Sequence, residues 1–140
     1  MEELFVYALL AREGIITENM FAERIDRLFS ENPSDEILLE IEWLNNIKKA
    51  IILVYKNMDY SNMDIPKFGK ILMGELENYY LKCKNIKTFG DTMYSLWEGL
   101  PGNIQDIEPF WTFSYADDVL AYADTRQAEV LYKKAIDYYK

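Results

Sequence analysis

The stretch PKFGKILMGELENYYLKCK, from Pro66 to Lys84, decides the fold class. Phe68, Ile71, Leu72, Leu76, Tyr79, Tyr80 and Cys83 recur at intervals of three and four residues, the spacing that lines one face of an α-helix. A half-buried strand would instead alternate every second residue. Pro66 suits the helix start, where its missing N–H leaves no hydrogen bond unmade. Gly69 and Gly74 interrupt the stripe, each costing about 1 kcal/mol relative to alanine, and glycines so placed allow close approach of a neighbour. They stand five apart, which is not the small-xxx-small spacing of membrane helix pairs.

Helical patterning continues toward the N-terminus. Glu2 to Glu13 is apolar nearly all round and ends at Gly14, which reads as a buried helix with a left-handed stop. Thr17 is placed to cap a helix over 18–30 with Met20, Phe21, Ile25, Leu28 and Phe29 on one face. Asn32-Pro33 stops it. Ser34 reads as the next cap, opening a long helix to Met58 in which acids come first and Lys48, Lys49 and Lys56 come last, as the helix dipole favours. The Asn45-Asn46 pair is the one place where that helix could divide, because asparagine competes with the helical ladder. Ile51-Ile52-Leu53-Val54 is expected in the middle of the core.

Toward the C-terminus, Thr88 and Asp91 suggest a capping box for a fifth helix, and Gly99-Leu100-Pro101-Gly102 ends it. Residues 102–108 read as a loop. Phe110 to Phe113 fits helix, strand or loop equally. Ser114 with Asp117 suggests a helix over 115–124, and Thr125 a cap for a last helix over 126–139. No hairpin signal and no βαβ alternation occurs. The expectation is one all-α domain over 1–140, a compact bundle or irregular array of about six to seven helices. The tetrapeptide Lys-Lys-Ala-Ile occurs at 48–51 and at 133–136, but that separation matches no helical-repeat period.

Composition limits the chemistry. The 140 residues contain no histidine, one cysteine (Cys83), 15 basic and 24 acidic side chains, and a net charge of −9. Without histidine, neither Ser-His-Asp nor Cys-His nucleophiles nor histidine-ligated metals are available. Phosphate-gripping glycine loops are absent too. Glu23-x-x-Asp26 is half of the paired acid motif with which helical nucleotide pyrophosphatases hold magnesium, and no Glu-x-x-Glu completes it. Cys83 sits on the apolar stripe and reads as a small buried hydrophobe. Neither metal nor cofactor is expected. The acidity disfavours nucleic acid and anionic membrane as partners and favours a basic protein. The acidic N-terminal residues do not resemble an export signal, Leu4 to Ala11 is too short to span a bilayer, and one cysteine makes no internal disulfide, so a cytoplasmic location is expected.

One segment stands out. Between Asp106 and Asp124 lie Phe110, Trp111, Phe113, Tyr115 and Tyr122, interleaved with five acids and no base. Aromatic anchors beside acids make a docking face for a basic partner. The same residues also read as core aromatics with capping aspartates. The candidate partner-binding residues are Phe110, Trp111, Tyr115, Asp117 and Asp118. The functional expectation is a non-catalytic protein-binding domain of bacterial type, in its sharper form an inhibitor or immunity-type protein for a basic partner. The alternatives are a helical-repeat-like scaffold or adaptor and a carboxylate-metal hydrolase.

Overall fold

The computed structural model describes residues 1–122 and 124–140. All regular structure among them is helical, with no strand, so the fold is all-α. Seven α-helices of nine residues or more are joined by short turns, together with one four-residue helix and three 3₁₀ segments. No helix among the described residues is long and apolar enough to cross a membrane. The packing groups the chain into two compact units, residues 1–62 and residues 63–140.

The first unit holds α1 (Glu2–Arg12), α2 (Glu18–Glu31), α3 (Glu36–Leu44), α4 (Ile47–Asn57) and a 3₁₀ turn at Tyr60–Asn62. Helix α1 is its centre: every side chain from Leu4 to Leu10 is buried, and α1 packs against both α2 and α4. Fully burying each large apolar side chain contributes about 1.5–3 kcal/mol, so this helix needs no amphipathic pattern. It ends as its sequence predicts, with Gly14 at φ +72°. Thr17 then caps α2, its hydroxyl accepting from the Met20 N–H at 3.1 Å. A polar clamp adds to the α1–α2 contact: Arg27 donates to Glu3 Oε1 at 2.6 Å and to the Tyr7 hydroxyl at 2.7 Å. Tyr7 donates in turn to Glu3 at 2.5 Å. Burial and the Glu3 carboxylate push the Tyr7 hydroxyl up to about 12.

The long helix expected from Ser34 to Met58 is two helices. Asn45 adopts the left-handed conformation at φ 45°, which asparagine tolerates better than most residues. Asn46 then caps α4, its side chain accepting from the Lys49 N–H at 3.0 Å. Asp35, not Ser34, caps α3 by accepting from the Ile37 and Leu38 N–H groups. Turning at Asn45 also rotates the Ile51–Val54 run. Val54 is buried, whereas Ile52 is 65% exposed, so the run does not lie wholly in the core.

The second unit holds α5 (Ile65–Lys82), α6 (Ile86–Glu98), α7 (Gly102–Gln105), 3₁₀ segments at Phe110–Ser114 and Ala116–Tyr122, and α8 (Thr125–Ile136). Phe68, Leu72, Met73 and Leu76 form the buried stripe of α5. Gly69 is there for close approach: a Cβ would stand 2.2 Å from the Tyr139 ring. Gly74 faces open space. Asn85 and Asp124, rather than Thr88 and Thr125, cap α6 and α8, since their carbonyl or carboxylate oxygens reach N–H groups two or three residues on. The 115–124 helix expectation resolves into the second 3₁₀ segment, and its Ala123 lies outside the described residues. Cys83 is half-buried, its thiol donating to the Asn85 carbonyl.

Candidate functional site

The aromatic segment folds as a 3₁₀ helix over Phe110–Ser114. A 3₁₀ helix has three residues per turn, so residues at i, i+3 and i+6 stack on one side. Phe110 and Phe113 occupy that side and are fully buried, as is Ala116 at the start of the next 3₁₀ segment. Phe110 packs on Phe68 and Tyr139, with ring centroids at 5.7 and 6.3 Å. Phe113 packs on Tyr132 at 6.3 Å. Phe110, expected on the docking face, is therefore corrected to a core residue. The residues between them turn outward. Trp111 is 49% exposed and Tyr115 37% exposed. Their rings meet edge to face at 5.5 Å.

The backbone beneath this pair is well tied. The Trp111 N–H donates to the Ile107 carbonyl at 3.0 Å, and the Ser114 hydroxyl donates to the Trp111 carbonyl at 2.6 Å. That bond replaces the capping box expected of Ser114. Just upstream, the Trp97 indole N–H donates to the Gln105 carbonyl while the Gln105 amide donates back to the Trp97 carbonyl, both at 3.0 Å. This reciprocal pair closes the 98–105 turn and fixes where the segment begins.

Around the pair, Ile107, Asp106, Glu108 and Asp118 are exposed. A groove of about 160 Å³ runs beside Tyr115 toward α8, edged by Glu108, Tyr138 and Lys134. Tyr138, 53% exposed, extends the aromatic surface. No base occurs between Ile107 and Tyr122, so Lys134 is the cation on this groove.

Asp117 takes another direction. It is half-buried, and its Cβ approaches the position that a Gly90 Cβ would occupy, 3.4 Å away. The Tyr132 hydroxyl stands 2.9 Å from that same position. Both Asp117 Oδ1 and the Tyr132 hydroxyl are shielded from solvent and have no hydrogen-bond partner among the described residues. Burial, then Asp118 and Asp91, raise the Asp117 carboxyl above its usual range, against backbone N–H groups that lower it. The Tyr132 hydroxyl is likewise raised, by burial first and by Asp117 next. Of the five sequence candidates, Trp111 and Tyr115 come together at the surface, Asp118 is exposed in the following turn, Asp117 faces α6, and Phe110 is core.

The first unit contains an arrangement that sequence reading did not find. Asp26 of α2 and Glu42 of α3 line a cavity of about 280 Å³ whose floor includes Phe21, Ile25, Ile41 and Ala50 and whose rim includes Asn45 and Asn46. The facing Asp26 carboxyl, then burial, push Glu42 up to about 7. Glu42 Oε1 is shielded and has no hydrogen-bond partner among the described residues. Among the described residues no three Asp, Glu or Cys side chains gather around one metal position.

The fold and its sites thus define the class as an all-α protein with an exposed, acid-flanked aromatic surface. Comparison with known proteins gives no matching family model, no matching curated protein and no matching solved structure.

Proposed function

We propose that the chain acts without catalysis, as a protein-binding domain, and that its partner is basic. The observation that carries this reading is the Trp111–Tyr115 pair, exposed on a backbone that Phe110 and Phe113 anchor from beneath. Aromatic side chains on a fixed backbone lose little entropy when covered, and such residues dominate binding energy where water is excluded. Asp106, Glu108 and Asp118 supply the complementary field, and the net charge of −9 speeds encounter with a cationic surface. Inhibition of a basic enzyme, in the manner of an immunity protein in the bacterial cytoplasm, is the biological role that best suits this surface.

The test is capture of the cognate partner from the native host followed by titration calorimetry. Trp111→Ala is expected to weaken binding at least tenfold, about 1.4 kcal/mol or more. Asp118→Asn and Glu108→Gln are expected to slow association and reduce its salt dependence. Unchanged affinity in a Trp111→Ala, Tyr115→Ala double variant rejects the face.

A further inference from the structure

We infer that the outward side of α3 is a second docking surface, and that its occupant is an arginine- or lysine-rich segment of a protein partner. Helix α3 has nine residues and is apolar on both sides. Leu38 and Ile41 are buried within the first unit, yet Leu39 is 43%, Leu44 37% and Trp43 81% exposed. Leu39 and Trp43 stand four apart and so neighbour each other on one face. An exposed tryptophan beside a leucine on a regular helix is the kind of apolar surface that marks contact sites.

The charge around Trp43 selects the occupant. Glu36 and Glu40 are exposed, stand four apart, and lie on the turns directly before Trp43. Like charges at that spacing oppose helix formation, and a cation placed between them removes the opposition. From Leu28 to Ile47 the chain has five acids, Glu31, Asp35, Glu36, Glu40 and Glu42, and neither lysine nor arginine. Glu42 turns inward to Asp26, while Glu36 and Glu40 remain toward solvent. An indole face attracts guanidinium and ammonium groups, arginine stacking best. Carboxylates at its edge accept the N–H donors. The same acids repel an anionic membrane, the other destination of exposed Trp and Leu. This surface belongs to the first unit and does not depend on the Trp111 face.

The test uses the full chain and a labelled amphipathic peptide of leucine and arginine at helical spacing, with its leucine and glutamate counterpart as control, read by fluorescence anisotropy. The arginine peptide is expected to bind and the glutamate peptide not. Trp43→Ala is expected to weaken binding about tenfold, and Glu36→Gln with Glu40→Gln to weaken it similarly while flattening its salt dependence, whereas Trp111→Ala leaves this component in place. Because Trp43 is mostly exposed, its loss leaves the helical circular dichroism unchanged. Four outcomes overturn the inference. These are no binding, equal binding in Trp43→Ala, Trp43-dependent dimerisation in sedimentation in place of peptide binding, and Trp43-dependent binding to zwitterionic vesicles.

Discussion

Raising the pH from 5.5 to 8 should loosen the first unit through Glu42 alone. The folded chain holds its proton up to about 7, against an ordinary glutamate value of 4.5, because Asp26 faces it and the cavity limits its hydration. The sign follows from proton binding: the folded state carries a proton that the unfolded state has released, so stability is full below pH 4.5 and is lost as pH rises through about 7. Each tenfold difference in proton affinity is worth about 1.4 kcal/mol, about 3 kcal/mol for the whole shift, of which about 2 kcal/mol falls between pH 5.5 and 8. The cavity opens to solvent, and water screens the pair, so the expected loss is about 1–2 kcal/mol. The absence of histidine clears this window of the side chains that usually titrate in it. Urea unfolding at a series of pH values measures the loss in wild type and in Glu42→Gln, whose amide does not titrate. Wild type should fall and the variant stay nearly level over the same window. Parallel curves, or a level wild-type curve, would refute the upward shift of Glu42.

Gly74→Ala should stabilise the chain by about 0.5–1 kcal/mol, since the helical site is open and alanine restricts the unfolded chain. Gly69→Ala should fall short of that gain by at least about 1 kcal/mol because its Cβ displaces the Tyr139 ring, and thermal unfolding should show the deficit vanish in a Tyr139→Ala background. Tyr132→Phe removes a buried hydroxyl that has no partner among the described residues, and should raise stability by about 1 kcal/mol in the same assay.

Helices were legible wherever a single local rule governed them. The α5 stripe, the Gly14 stop and the Thr17 cap needed nothing beyond neighbouring residues. The α3–α4 division was visible as the Asn45-Asn46 pair, but the acid-to-base charge order argued for continuity. That dipole effect is worth only tenths of a kcal/mol at exposed positions, less than two asparagines gain by turning and capping. The 3₁₀ segment was missed for a different reason. A three-residue spacing from Phe110 to Phe113 is too short a run to separate from helix or strand by pattern alone. The Asp26–Glu42 pair joins two helices across a turn, so no spacing rule on either helix reveals it.

The period of that segment also bears on how its surface would work. With three residues per turn, Phe110 and Phe113 stack inward while Trp111 turns out, and Tyr115, just past the segment, is exposed beside it. Each outward ring is therefore one or two residues along the chain from a fully buried one. Covering Trp111 then requires no ordering of its backbone, and ordering is a large part of what association costs. Replacing Phe113 with alanine would leave every outward residue in place yet remove this support. The affinity lost through Phe113 would consequently measure preorganisation, and the affinity lost through Trp111 would measure contact.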